Sequence, residues 1–261
     1  MVNHLVGPPL FISLFLLYLN SVRSEILTYK SLDTISYPKA VCNDGSTAGY
    51  YISSPSTSAP KHFFIYLESG GWCYDKSTCD ERNFTSYSLM TSTMNPDTRD
   101  IGGIFDASVL DDYLKVYVHY CTSDGHMGDT DATGSVGYIF RGSEVVHAVV
   151  QTLEDDWGIT SSAETERVLF GGASAGGRGG MVHLDYVREK YAPVEVVGIL
   201  DSPLWVDLDP PDFSSKIGEA ERGAKDGWSE ATAKATCLAP AFRPSPLVFS
   251  HLSPAAHRRS G

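Results

Sequence analysis

Ser174 stands in Gly172-Ala173-Ser174-Ala175-Gly176, a lone hydroxyl among small residues at the point where the apolar run Val168-Leu169-Phe170 stops. The spacing fits G-x-S-x-G, the sharp strand-to-helix turn that lifts a serine hydroxyl above the end of a sheet. A nucleophile there attacks an acyl carbon. It needs donors for the oxygen that turns negative, a base for its proton, and an acid to orient the base. The motif alone says little in a chain with 24 glycines, where glycine-serine turns are ordinary loop material. Its flanks give it meaning, because residues 166–170 read as a buried strand and residues 175–191 as a helix with Leu184, Val187 and Tyr191 on one face.

The donors have a candidate turn of their own. His62-Phe63-Phe64-Ile65-Tyr66-Leu67 reads as a buried strand that runs into Glu68-Ser69-Gly70-Gly71-Trp72-Cys73. In sheets of this kind a glycine-rich turn after an early strand gives one backbone N–H to the oxyanion, and the residue after the nucleophile gives another. Gly71, Trp72 and Ala175 are then the oxyanion donors. The same turn also fits a plain structural role, held by a neighbouring disulfide.

Acid and base are harder to place. Asp201, after a strand over residues 194–200, is an acid candidate on the correct edge, and it equally fits a turn-forming aspartate before Ser202-Pro203. Only His183, His251 and His257 come after Ser174. His183 lies nine residues along the helix leaving the elbow, which carries it away from the hydroxyl. His251 and His257 fall in residues 238–261, a stretch with four prolines, three arginines and no acid, which reads as a disordered or non-native tail. His119, Asp124, His126 and Asp129 lack metal-ligand spacing and read as a hydrogen-bonded loop, so neither metal nor cofactor is expected. His147 reads as a surface or packing histidine rather than a catalytic one.

The elements that would position these residues alternate. Strands near 64, 116, 168 and 197 are interleaved with helices near 145 and 180, which predicts an α/β fold: a mostly parallel sheet flanked by helices, with ligands at its carboxyl edge. Residues 25–60 read as polar and turn-rich around a short strand at Tyr50-Tyr51-Ile52, and residues 74–112 as irregular surface excursions.

With 261 residues the chain suits one domain, and its formal net charge of -12 argues against nucleic acid as a partner. Residues 10–19 form an apolar run too short to span a bilayer, followed by small residues suited to cleavage after Ser24. Residues 1–24 are thus expected to be a signal peptide, with no membrane span after its removal. Export agrees with the sequon Asn83-Phe84-Thr85 and with five cysteines. Cys73 and Cys79 are close enough in sequence to close a small loop, Cys42 and Cys121 form the natural longer pair, and Cys237 is left over.

Taken together, Cys42-Asn-Asp-Gly-Ser-Thr-Ala-Gly-Tyr-Tyr51, Gly70-Gly-Trp-Cys73, Tyr120-Cys-Thr-Ser-Asp124, Phe140-Arg-Gly142, Gly172-Ala-Ser-Ala-Gly-Gly177 and Asp201-Ser-Pro-Leu-Trp-Val-Asp207 resemble the family that joins pectin acetylesterases with Notum-type carboxylesterases. The resemblance implies an α/β-hydrolase-like fold, Ser174 as nucleophile, Gly71, Trp72 and Ala175 as oxyanion donors, and disulfides Cys42–Cys121 and Cys73–Cys79. It implies a secreted carboxylic-ester hydrolase acting on an acetylated polysaccharide or a lipid-acylated protein. It also takes the triad aspartate and histidine from a later region than Asp201. Because family members are longer, residues 25–237 are expected to be the N-terminal part of a catalytic domain, incomplete at its C-terminus. A shortened, non-catalytic binding relative is the rival class.

Overall fold

The structure, a computed structural model, describes residues 25–55, 60–131, 136–160 and 164–203. The expected leader, Cys237, His251 and His257 lie outside these residues. Among these described residues, seven strands form one sheet: β1 (Ile26–Ser31), β2 (Gly49–Ile52), β3 (His62–Leu67), β4 (Thr98–Asp100), β5 (Tyr113–Val118), β6 (Arg167–Ala173) and β7 (Glu195–Asp201). Their order is β4-β1-β2-β5-β3-β6-β7. The longer ladders, β5-β3-β6-β7, are parallel, while β4, β1 and β2 extend the sheet antiparallel beyond β5. Helices α1 (Lys76–Thr85), α2 (Gly142–Trp157) and α3 (Ala175–Lys190) complete the frame. The expected α/β-hydrolase-like architecture is the one observed. Among the described residues no helix is long and apolar enough to cross a membrane.

The central strand β3 shows why the fold holds. Side chains alternate across a strand, so Phe63, Ile65 and Leu67 face one layer and Phe64 and Tyr66 the other. The first set packs with Val116, Val118 and Phe170 against Val145, Val149 and Leu153 of α2 and Val187 near the end of α3. The second set packs with Tyr51, Tyr117, Leu27 and Phe105. Both faces of β3 are therefore dry, as a near-continuous apolar run requires.

Two expectations need correction. Residues 25–60 supply two strands rather than one, because β1 is a half-exposed strand that pairs with both β2 and β4. Residues 74–112 are not irregular throughout, since they form α1, β4 and three short 3-10 turns. Helix α1 buries only Cys79, so it has no apolar stripe to read. Its start is set instead by Asp75, whose carboxylate accepts from Thr78 N while the Thr78 side chain caps the Asp75 backbone.

The two disulfides are those the resemblance implied. Cys42–Cys121 ties the loop before β2 to the end of β5, and Cys73–Cys79 ties the turn after β3 to α1. Asn83 is exposed on α1.

Candidate active site

Ser174 joins β6 to α3 with φ 51 and ψ -118, a left-handed backbone that a residue with a Cβ rarely adopts and that strains the chain by about 1–3 kcal/mol. Hydrogen bonds on both sides hold it there. Ser174 N donates to Asp201 O at 2.9 Å, and Ser174 O accepts from Arg178 N at 3.0 Å. Its small neighbours are imposed by the end of β3: a Cβ at Gly172 would lie 2.6 Å from Leu67 O, and one at Gly176 only 2.0 Å from it. The positive end of α3 starts at Ala175, so a charge developing beside Ser174 would meet a favourable dipole.

The turn after β3 lies against this elbow, because Ser69 Oγ donates to Ala173 O at 2.6 Å. Gly71 sits at φ 67. Its carbonyl accepts from Tyr120 Oη at 2.7 Å, and Tyr120 Oη accepts in turn from Gly125 N at 2.7 Å. A trans peptide points its N–H opposite its C=O, so the Tyr120 bond also fixes the direction of the Trp72 N–H. Cys73 N donates to Ser123 O, and the Cys73–Cys79 bridge anchors the far end of the turn to α1. Two guanidinium groups flank the turn. Arg82 donates from Nε to Ser123 Oγ at 2.8 Å and lies over Tyr120, and it forms no ion pair among the described residues. Burial lowers its pKa. Arg178 lies over the Trp72 ring at 5.8 Å.

Behind the turn is a buried ionic cluster. Glu68 accepts from His119 Nδ1 at 2.7 Å and Tyr120 N at 2.8 Å through one oxygen, and from Arg99 Nη1 at 2.9 Å through the other. Burial alone would raise its pKa, but His119, the Tyr120 N–H and Arg99 outweigh burial and hold the carboxyl at about 2. The Glu68 carbonyl accepts from His126 Nε2 at 2.9 Å, and the His126 carbonyl accepts from His183 Nε2 at 2.8 Å. Asp124 organises the loop between: Thr122 Oγ1 and the backbone N–H groups of His126, Gly128 and Gly142 all donate to it.

The turn that carries Gly71 and Trp72 thus lies against the elbow that carries Ser174 and Ala175, through Ser69 Oγ on Ala173 O and Arg178 over the Trp72 ring. Asp201 reaches this elbow through its main chain, whose carbonyl accepts from Ser174 N, but among the described residues its exposed side chain accepts a hydrogen bond only from Ser202 Oγ. His183 is buried against His126, and His147 packs on His183 and Tyr186, as a packing histidine should. No acid-and-histidine pair faces Ser174 among the described residues, and no group of three or more His, Cys, Asp or Glu there could hold a metal ion. Sequence reasoning passed over Glu68, Ser69, Tyr120, Arg82 and His126 as site residues. From sequence, His126 is considered only as a metal ligand and Tyr120 only as part of a family motif, and none of the five has a spacing that announces its partner.

A family model described as pectinacetylesterase matches residues 22–239. The chain belongs to the pectinacetylesterase family. The structure of the Wnt deacylase Notum from Drosophila superposes on this chain with a TM-score of 0.66 at 28% identity, covering 80% of this chain and 60% of that one. Among curated relatives, the palmitoleoyl-protein carboxylesterase NOTUM of Schmidtea mediterranea is 32% identical over 199 residues, 72% of this chain and 37% of the relative. The human protein of the same name is 31% identical over 176 residues, 64% of this chain and 34% of the relative. This pectinacetylesterase-family chain therefore spans about a third of the length of the curated relatives it matches.

Proposed function

We propose that this chain is a secreted carboxylic-ester hydrolase that uses Ser174 as nucleophile. The observation that carries the reading is the left-handed Ser174 at the junction of β6 and α3, with the glycine turn after β3 bonded to the residue before it. In the reaction Ser174 Oγ attacks an ester carbonyl. The developing oxyanion takes hydrogen bonds from the backbone N–H groups of Ala175 and of Gly71 and Trp72, the alcohol leaves, and water deacylates the serine. The aspartate and histidine that assist lie outside the described residues. Without a base, an oxyanion site retains only about 10³-fold acceleration over water.

The substrate is an extracellular polysaccharide carrying O-acetyl groups. Arg82 and Arg178 place positive charge against the turn, which favours a short acyl group on a polar polymer over a long apolar chain. The named activity of the NOTUM relatives favours the second reading, removal of a fatty acyl group from a protein. Residues 1–24 direct export, and Asn83 carries an N-linked sugar.

Labelling of the recombinant chain by a fluorophosphonate probe tests the nucleophile. Wild type should label and Ser174→Ala should not; equal, negligible labelling rejects the enzyme in favour of a binding protein. Acetate release from pectin, measured beside hydrolysis of a long-chain acyl peptide, separates the two substrates.

A further inference from the structure

An oxyanion site made of backbone N–H groups works only if two separate elements stand at a fixed distance, here the Gly71–Trp72 turn and the Ser174 elbow. Arg178 of α3 lies over the Trp72 ring, and two hydrogen-bonded paths also cross between the elements. Ser69 Oγ bonds directly to Ala173 O. The other path runs through His126. Its Nε2–H donates to the carbonyl of Glu68, two residues before the glycine pair, and its own carbonyl accepts from His183 on α3, the elbow helix.

His126 is held more firmly than filling space requires. It is 1% exposed, its ring stacks on Tyr120 with centroids 4.6 Å apart, and its backbone sits at φ 62. A left-handed non-glycine residue is strained by about 1–3 kcal/mol and persists only when its surroundings over-determine it. The surroundings do so here: Asp124 Oδ1 accepts from His126 N at 3.0 Å, and α3 approaches so closely that a Cβ at Gly179 would lie 2.7 Å from His126 Cβ. Tyr120, on which the ring rests, is the residue that fixes the Gly71 carbonyl. On its far side Glu68 is pinned by His119, Arg99 and Tyr120 N. The Glu68 carbonyl can only accept, so Nε2 carries a proton and is the donor.

We propose that His126 is a positioning residue that sets the separation of the Gly71–Trp72 turn from Ser174, by bonding to the strand that carries the one and to the helix that carries the other. This rests on the reading of Ser174 as nucleophile. Burial pushes the imidazole down to about 4, so the bridge stays neutral in near-neutral solution.

The test compares His126→Leu with His126→Gln, whose amide nitrogen can replace Nε2 as donor. The readouts are the second-order rate of fluorophosphonate labelling, kcat and KM for an aryl acetate, and the melting temperature. A misplacement of about 1 Å costs about 100-fold, so the leucine variant should lose about 10- to 100-fold in labelling rate and kcat with KM within about threefold. Glutamine should recover the rates to within about threefold of wild type. A merely structural role would lower the melting temperature of both variants and leave the rate per folded molecule unchanged. Should the leucine variant not fold, His183→Leu cuts the same bridge at its other end and must give the same loss in kcat. An unchanged rate in a folded variant, a loss confined to KM, or glutamine no better than leucine overturns the proposal. Unlabelled wild type overturns the nucleophile reading and the positioning role with it, whereas labelled wild type beside an equally labelled leucine variant sinks the positioning role alone.

Discussion

At the elbow a Cβ added to Gly172 or Gly176 would meet Leu67 O at 2.6 and 2.0 Å, whereas at the facing turn a Cβ on Gly71 would find only Arg82 Nη1, at 3.7 Å. The elbow is thus held by main chain packed on main chain. The turn has room at Gly71, although a Cβ at Gly70 would meet the side chains of Leu89 at 2.8 Å and Tyr120 at 3.1 Å, and it is held largely by side chains: Tyr120, His126, Ser69 and the Cys73–Cys79 bridge. The difference teaches that the two halves of one site can depend on unlike forces. Packing of backbone is unforgiving of volume and indifferent to pH, while a side-chain scaffold tolerates volume and responds to protonation.

The largest effect belongs to the elbow. Gly176→Ala should destabilise by about 3 kcal/mol, because the nearest atom it meets, Leu67 O, is main chain at the end of β3 and cannot move aside; a denaturant midpoint close to wild type would break the comparison. Acid should act on the turn instead. Glu68, held at about 2 against 4.5, contributes roughly 3 kcal/mol that is fully present above pH 4.5 and is lost as the pH falls towards 2. His126 and His183 are both lowered from 6.5 to about 4, chiefly by burial. The unfolded chain therefore takes up their protons first, and stability falls as the pH drops from 6.5 to 4. Asp124, raised from 3.8 to about 6 by burial, works in the opposite sense, adding stability as the pH falls from 6 to 3.8. Melting curves between pH 8 and pH 3 should accordingly decline on the acid side, and Glu68→Gln should flatten the part below 4.5.

Smaller effects sharpen the contrast. Replacing both Cys73 and Cys79 with serine opens a loop with a sequence separation of 6, which the chain-entropy argument values at about 2 kcal/mol. The labelling rate of Ser174 should fall with it, while the elbow mutant's defect should remain one of folding. Gly71→Ala should destabilise by only about 1 kcal/mol, the strain of a Cβ at φ 67 with space around it. Its effect should show in reaction rate more than in the melting temperature; a loss of stability as large as that of Gly176→Ala would show that the turn is packed like the elbow.

The parallel half of the sheet and the elbow were legible because their signals are local. Residues 62–67 form the strand their apolar run predicted, and Ser174 lies between a strand and a helix as its small neighbours required. Helix α1 and strands β1 and β4 were not legible, since none of them carries a long apolar period: α1 has only Cys79 and the exposed Phe84 as apolar residues, and β4 has only three residues.

The sequence by itself determined what is written in consecutive residues: the parallel strands β3, β5, β6 and β7, the serine among small residues between a strand and a helix, and the glycine turn after β3. Only the tertiary structure decided what holds that turn, because Glu68 meets His119 across 51 residues, Tyr120 meets Gly71 across 49, and His183 meets His126 across 57. A close approach of backbone demands glycine and so leaves a mark at its own position. A hydrogen bond between distant side chains demands only one donor and one acceptor, and many residues in the chain could have supplied either.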